Sequence, residues 1–275
     1  MICEQKIRIQ ADNFPSDCED WRVFESELES PDFLVNCNIS ENLPEPEGAF
    51  CGKSGEFSVY CQGEMVSRKR DMGIREGVIS KYNYINCSDC QLYFTPDSFP
   101  VFTDDRFFWA SVPLAQFLLT KKAVLMHASF VDIGGSAVLF SAPSGTGKST
   151  QAELWRIHRN AEVINGDKAG VFFKDGKVLA GGVPVCGTSQ ICKNRSLPLK
   201  AIVLLSQGEE NLARPLKGIE ALQGIVKNIH LDLLAPLEKQ MCIDFAIELL
   251  SSVPVISLQC TPDKRAIEAL EELLK

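Results

Sequence analysis

The clearest chemical signal is a glycine-rich run that ends in a lysine and a hydroxyl, A-P-S-G-T-G-K-S from Ala142 to Ser149. It fits the phosphate-binding pattern G-x-x-x-x-G-K-[ST] at every fixed position except the first, where Ala142 replaces glycine. Gly145 and Gly147 can take positive φ, so that successive backbone N–H groups point at phosphate oxygens. Lys148 can then reach the β- and γ-phosphates, and Ser149 can bind Mg²⁺, so the run predicts a site for ATP and Mg²⁺. The residues assigned to nucleotide binding are Ser144, Gly145, Thr146, Gly147, Lys148, Ser149 and Thr150.

A carboxylate follows the next strand of the pattern. Phosphoryl chemistry at such a loop needs an acidic residue that holds the metal or activates the nucleophile. Asp167 ends the segment V-I-N-G-D after an apolar strand, and it would therefore lie at the carboxyl edge of the sheet. We predict that Asp167 and Ser149 are metal ligands and that Lys148 and Asp167 are catalytic. The alternative is a simple turn aspartate.

A second glycine- and hydroxyl-rich segment, residues 181–195, ends in Lys193 and Arg195. One interpretation is a loop that closes over the phosphates and supplies positive charge to the transition state. The other is an exposed connection between strands. The sequence favours neither.

Three segments in a fixed order resemble the phosphoenolpyruvate carboxykinase/HPr kinase superfamily. The chain has M-H-A-S at 126–129, a short hairpin, A-P-S-G-T-G-K-S at 142–149 and G-D-K at 166–168. ATP-dependent carboxykinases carry M-H-C-S-A, G-L-S-G-T-G-K-T and G-D-D, and HPr kinase/phosphorylases carry similar H-G, G-x-S-G-x-G-K-S and D-D segments. The resemblance covers residues 123–173 by motif and is closest to compact HPr-kinase-like proteins.

The resemblance implies an α/β fold with a P-loop core of the carboxykinase/HPr kinase type beside a β-rich N-terminal section. It implies that His127 is a catalytic residue near the metal and the transferred phosphate, and that Asp167 is the metal ligand or base. The γ-phosphate of ATP would pass to a hydroxyl acceptor, with serine or threonine of a peptide or small protein favoured over a small molecule. Lys168 stands where both families carry a second aspartate. That departure supports the alternative of a nucleotide-binding regulator or scaffold without transfer; a lyase or another NTPase is a further alternative.

The motif residues require α/β elements around them. Apolar patterns predict strands at Val124–Val131 and Ala137–Ser141, a helix at Lys148–Arg159 and a strand at Glu162–Asn165. The remaining predicted elements are a hairpin of Val171–Phe173 with Val178–Ala180, a strand at Ala201–Ser206, helices near 217–230 and 236–251, a strand at Val255–Gln259 and a helix at Asp263–Leu274 capped by Thr261-Pro262.

The first hundred residues have the alternation of β-strands. We predict a β-rich section over 1–103 and a nucleotide-binding domain over 104–275. The predicted elements of the first part are strands at Lys6–Gln10, Phe33–Ile39 and Glu56–Cys61, a hairpin at 63–64, a strand pair Val78–Ile85 with Gln91–Thr95, a loop at Leu43–Gly48 and a helix at Asp104–Leu119.

Composition limits the class of protein. The 275 residues are 45% hydrophobic and 23% charged, which is typical of globular proteins, and the net charge of −8 predicts no binding to nucleic acid or to an anionic membrane. No apolar run of about 20 residues and no N-terminal signal core is present, so a cytoplasmic protein is expected. The sequence does not decide between a monomer and a homo-oligomer.

The spacing of the cysteines and histidines argues against a zinc site. Eleven cysteines without an export signal predict reduced thiols that pack as small hydrophobes. The pair Cys87 and Cys90 lacks a second ligand pair for zinc. His158 and His230 are interpreted as surface or helix-face residues.

Overall fold

The computed structural model describes residues 1–11, 23–25, 27, 30–71, 77–98, 105–185, 187–231 and 236–275. The chain is a mixed α/β protein with two sheets. It divides into two compact units, Met1–Lys121 with Asp232–Glu238, and Lys122–Leu231 with Lys239–Lys275. The domain boundary expected after residue 103 stays a prediction.

The first unit contains a sheet with the order β1-β2-β7-β6-β5-β4-β3. Strands β1, β2 and β7 pair in parallel, and the other neighbours pair antiparallel. The predicted strands at the start of the chain, the hairpin at 63–64 and the later strand pair are confirmed. The strands are β1 Ile7–Ala11, β2 Phe33–Ile39, β3 Ala49–Ser54, β4 Phe57–Gln62, β5 Met65–Asp71, β6 Gly77–Asn83 and β7 Asp89–Phe94.

The helix predicted over Asp104–Leu119 is wrong as one element. Two helices are present, α1 Asp105–Ser111 and α2 Leu114–Thr120, and Pro113 separates them. Proline has no N–H to donate, and it disfavours helical backbone in the residue before it. The apolar spacing continued across the break, so periodicity alone did not reveal it.

The second sheet carries the motif residues. Its order is β10-β8-β11-β12-β13-β15-β14, with β9 between β8 and β13. Strands β9, β13 and β15 run parallel, so their carboxyl ends meet at one edge. The strands are β8 Ala123–Ile133, β9 Ser136–Ser141, β10 Glu162–Asn165, β11 Lys168–Lys174, β12 Lys177–Gly181, β13 Ser196–Gln207, β14 Leu212–Leu216 and β15 Val255–Cys260.

The helices of this half are α3 Lys148–Arg159, α4 Gly218–Asn228, α5 Pro236–Ser252 and α6 Lys264–Glu271, with 3₁₀ turns at Gly187–Ser189 and Glu272–Leu274. The predicted bounds of α3 are confirmed. The cap predicted for α6 is wrong, because the Asp263 side chain accepts from the Arg265 N–H at 2.9 Å. An aspartate at this position satisfies a backbone donor that the helix leaves unpaired.

The core of the second unit holds α3 and α6 against the parallel strands. Trp155 of α3 is fully buried, and its ring lies 6.3 Å from that of Phe140 in β9. Ile267 and Leu270 of α6 join the same cluster. Because α3 begins where the glycine-rich run ends, this packing determines where the run lies.

None of the helices in the described ranges is long and apolar enough to cross a membrane. Nine cysteines in those ranges are free thiols. Cys87 and Cys90 are fully buried, and burial raises the pKa of the Cys87 thiol to about 12. Both thiols therefore stay protonated at neutral pH and pack as apolar groups.

Candidate functional site

Strand register brings three parts of the sequence to one level at the carboxyl edge of the second sheet. Ala128 pairs with Ser141, so His127 lies level with the first residue after β9. The Ser141 hydroxyl donates to the His127 carbonyl at 2.7 Å. On the other side of β8, the Ala128 N–H donates to the Asp167 carbonyl at 3.0 Å. His127, Asp167 and the start of the glycine-rich run are therefore neighbours.

The run between β9 and α3 has free space beside its backbone at two glycines. Gly145 and Gly147 have φ values of 77° and 117°, in the left-handed region that only glycine adopts freely. A Cβ added to either residue would meet no atom within 4 Å, so the space beside both is free for a ligand. Gly147 is the N-cap of α3 and provides no side-chain cap. The first N–H groups of α3 thus remain available to an anion.

Ala142, the first residue of the run, needs no glycine. It is 2% exposed and is not among the described residues with positive φ. Its carbonyl accepts a hydrogen bond from Lys148 Nζ at 2.9 Å. A methyl group fits this position because its backbone is of an ordinary kind and the side chain packs inward.

The ends of two parallel strands support the run. The last residue of β13, Gln207, donates through Nε2 to the Gly145 carbonyl at 3.3 Å. Gln151 in the first turn of α3 donates to Cys260 Sγ, at the end of β15, at 3.2 Å. These contacts hold the run over the carboxyl edge, where open α/β sheets bind their ligands.

Lys148 is the seventh of the eight residues of the run and is 7% exposed. Its ammonium donates to the Ala142 carbonyl at 2.9 Å and to the Pro143 carbonyl at 3.4 Å. An ammonium carries three donors, so one remains for a ligand oxygen. Burial lowers the pKa of Lys148, and the negative charge of Asp167 opposes that shift.

Asp167 and His127 are in contact. His127 Nε2 lies 3.3 Å from Asp167 Oδ1, and each side chain is about one-third exposed. The pKa of Asp167 lies below its ordinary value, chiefly because of the hydrogen bond from His127, with further lowering by Lys168 and Lys148. Asp167 is therefore an anionic carboxylate at neutral pH, with one oxygen bound and the other without a hydrogen-bond partner in the described residues.

Asn165 shapes the turn that carries Asp167. It is fully buried, and its Nδ2 donates to the carbonyls of Val183 and Val185 at 2.9 and 3.1 Å. Its Oδ1 accepts from the N–H groups of Asp167 and Lys168, both at 2.9 Å. One amide thus satisfies four backbone groups.

We expect the Asn165→Ala variant to lose about 3 kcal/mol of the free energy of unfolding, because several buried backbone groups lose their partner. Urea unfolding followed by circular dichroism measures this. Asn228→Ala, which removes one hydrogen bond to a carbonyl within α4, is the control and should cost less than about 1 kcal/mol. Equal costs for the two variants would contradict the role given to Asn165.

Within the segment 181–195, the residues Gly187 and Ser189 pack against the turn that carries Asp167. A Cβ on Gly187 would lie 2.8 Å from Asp167 Cβ, and one on Gly166 would lie 2.1 Å from Ser189 Oγ. The 3₁₀ turn Gly187–Ser189 therefore packs directly on the G-D segment. Only glycine permits that approach.

The cations at the other end of this segment are already paired. Lys193 Nζ lies 2.5 Å from a Glu162 oxygen, and Arg195 lies 2.6 Å from Asp132 and 2.7 Å from Glu162. Glu162 begins the strand that ends at Asn165, so these pairs form away from Asp167. Lys193 and Arg195 thus anchor the segment, and the interpretation that they supply positive charge to a phosphate is not supported.

The donor groups are of the kinds that bind a magnesium ion shared with a substrate. Within the described ranges, no group of three or more His, Cys, Asp or Glu side chains is placed to hold a metal. Mg²⁺ in phosphoryl-transfer sites takes one or two carboxylates together with phosphate oxygens and keeps several waters. Asp167 and the exposed hydroxyl of Ser149 supply that smaller set. A metal cage made by the protein alone does not fit.

Sequence reasoning missed Asn165, Gly187 and Ser189. The N-G-D order at 165–167 indicates a turn and was a usable signal for Asn165. The contacts of Gly187 and Ser189 with the G-D segment depend on how a chain of about twenty residues folds back, and no local pattern marks them. His158 and His230 are exposed, as predicted.

Comparisons with known proteins add little to this geometry. No family model matches the sequence, and no curated protein sequence matches it. Among solved structures, the chain is similar to the HPr(Ser) kinase/phosphatase from Coxiella burnetii, with 16% identity, 55% of this chain and 87% of that chain covered, and a TM-score of 0.32. That TM-score is below the level that indicates a common fold.

Proposed function

We propose that this chain is an ATP- and Mg²⁺-dependent phosphotransferase of the HPr-kinase-like type, with a P-loop core, that moves the γ-phosphate of ATP to a hydroxyl group. The favoured acceptor is a serine or threonine of a peptide or small protein. The observation that carries the proposal is the register that brings His127 and Asp167 beside the open run Ala142–Ser149.

Binding of the triphosphate would use the backbone and Lys148. The N–H groups from Ser144 to Thr150 would surround the β- and γ-phosphates, aided by the uncapped start of α3. The third donor of Lys148 would bind a phosphate oxygen as a point charge. Mg²⁺, held by Asp167 and Ser149 together with the phosphates, would supply the remaining positive charge.

Orientation of the acceptor would fall to Asp167 and His127. Asp167 Oδ1, which is bound by His127, would also take the metal, and Oδ2, which has no hydrogen-bond partner among the described residues, would accept the hydrogen of the incoming hydroxyl. The transition state of phosphoryl transfer is loose, so the hydroxyl needs positioning more than activation. The proton of the acceptor would pass to Asp167 as the new P–O bond forms and ADP leaves.

A nucleotide-binding regulator without transfer is the second candidate. The observation that favours it is Lys168, which places a cation next to Asp167. A lone carboxylate surrounded by cations is a weaker metal ligand than a pair of carboxylates. Such a protein would bind ATP and release no ADP.

The deciding experiment uses ATP labelled at the γ-phosphate, with and without serine-bearing peptides. We expect ADP release that rises with the peptide and label that appears on its serine. ADP release with no label on any acceptor would indicate an ATPase, and tight binding without turnover would favour the regulator. If the purified protein binds no nucleotide, the proposal is wrong.

A further inference from the structure

Lys168 is a cation at the edge of the candidate site that forms no close ion pair with any described residue. It begins β11 and pairs directly with His127 across the antiparallel ladder. Directly opposite residues of such a pair extend to the same face of a sheet, so Lys168 and His127 share a face. The Lys168 side chain is partly buried, and its Nζ makes no hydrogen bond or close ion pair with any described residue.

The cost of this arrangement points to a ligand. A partly buried ammonium loses hydration, and proteins normally compensate with a carboxylate or several acceptors. The neighbouring carboxylate, Asp167, is bound to His127 instead. Oxygens of a bound anion would accept the hydrogen bonds that the Lys168 ammonium can donate.

The charges of the site agree with an anionic ligand. Lys148 and Lys168 both interact electrostatically with the Asp167 carboxylate. Two cations against one anion leave a positive site before any metal binds. The two lysines would attract the negative charges of a phosphate chain. A site that contains several metal-binding carboxylates would repel the same chain unless Mg²⁺ is bound.

We propose that Lys168, which shares a face of the sheet with His127, binds the terminal phosphate oxygens together with Lys148, so that the nucleotide is held with only a weak requirement for Mg²⁺. The inference rests on the proposed nucleotide site and deepens it. Lys168 would thereby supply in the protein itself part of the charge that a divalent cation otherwise brings.

Calorimetric titration of ATP, in Mg²⁺ and in EDTA, tests this proposal. We expect wild-type affinity to fall less than about tenfold when Mg²⁺ is removed, because two ammonium groups remain on the phosphates. The Lys168→Gln variant should bind ATP in EDTA about ten- to a hundredfold more weakly than wild type, the range for one hydrogen bond to a charged group. Lys168→Arg, which keeps the charge, should recover much of that loss.

The matched control is Lys177→Gln, an exposed lysine on the neighbouring strand β12, which should change affinity by no more than about twofold. Thermal unfolding verifies the fold of each variant, and Lys168→Met replaces Lys168→Gln if the latter does not fold. Removal of an unpaired, partly buried charge is not expected to destabilise the protein.

Each outcome decides something. Wild-type binding that disappears in EDTA overturns the inference, as does a Lys168→Gln variant that matches wild type in EDTA; both leave the nucleotide site intact. Absence of ATP binding by wild type in both buffers overturns the proposed function and this inference together. A selective loss in EDTA for Lys168→Gln supports both.

Discussion

We expect the Lys148→Ala variant to lose ATP binding by about a hundredfold and phosphoryl transfer by about a thousandfold or more. Lys148 is buried, and its ammonium contacts the carbonyls of Ala142 and Pro143 at the start of the glycine-rich run, where a charge-assisted hydrogen bond is strong. Its charge would be most valuable when negative charge moves between the γ-phosphate and ADP. Calorimetric titration of ATP measures the first loss, and transfer of labelled phosphate measures the second.

The matched control for this variant is Lys193→Ala. Lys193 is paired with Glu162, away from Asp167, so its removal should leave ATP affinity within about twofold. Lys148→Ala also leaves the Ala142 carbonyl without its donor, which should lower stability by about 1 kcal/mol, and a melting curve shows whether the fold survives. A folded Lys148→Ala protein with wild-type ATP affinity would contradict the proposed nucleotide site.

The second large effect is expected for Asp167→Asn. Asparagine keeps the shape that packs against Gly187 but removes the charge. Transfer should fall by about a thousandfold, since the acceptor loses its orienting carboxylate and the metal loses a ligand. ATP affinity in EDTA should rise, because the anion that repels the phosphates is gone. Opposite signs for turnover and binding distinguish this result from a general loss of structure.

Asp175→Asn is the control for Asp167→Asn. Asp175 occupies the exposed turn between β11 and β12 with a φ of 49°, which asparagine tolerates well, so neither turnover nor affinity should change. If Asp167→Asn retains more than about a tenth of wild-type transfer, Asp167 is not the catalytic carboxylate. If the ATP affinity of Asp167→Asn in EDTA falls instead of rising, the proposed position of Asp167 beside the phosphates is wrong.

Elements with strong local signals were predictable from the sequence. Helix α3 was predicted with its observed ends because a glycine-rich run precedes it and its apolar residues follow a helical period. Strand β10 was also predicted with its observed bounds. In both, the residues that determine the element lie within it or directly before it.

Two of the strands at sheet edges were missed. β3 ends the order of the first sheet and β14 ends that of the second, and neither was predicted, whereas the edge strands β1 and β10 were. Gly52 weakens the strand pattern of β3, and Pro215 interrupts that of β14. β14 forms because β15 offers hydrogen bonds, and β15 lies far along the chain, outside the local sequence. The partner of β3 is the adjacent strand β4, so the weak strand pattern of β3 itself is the reason that it was missed.

The site divides in the same way. Lys148 and Asp167 could be proposed because each stands at a fixed distance from a strand or a glycine. The contact between His127 and Asp167, and the approach of Gly187 to Asp167, join positions that are twenty to forty residues apart. Their distances follow from strand pairing and loop closure, which local patterns do not encode. Catalytic roles remain predictions for all three polar residues.

The alanine at the start of the glycine-rich run shows which positions of such a motif require glycine. The backbone of Ala142 does not have a positive φ, its methyl group is buried, and its carbonyl accepts a hydrogen bond from Lys148. Either alanine or glycine is therefore compatible with this position. Gly145 and Gly147 have positive φ values that other residues rarely adopt, so substitution of either glycine would strain the backbone. A motif definition weighted by backbone torsion would admit chains that a literal glycine pattern discards, and it would exclude those in which a side chain enters the space kept for the ligand.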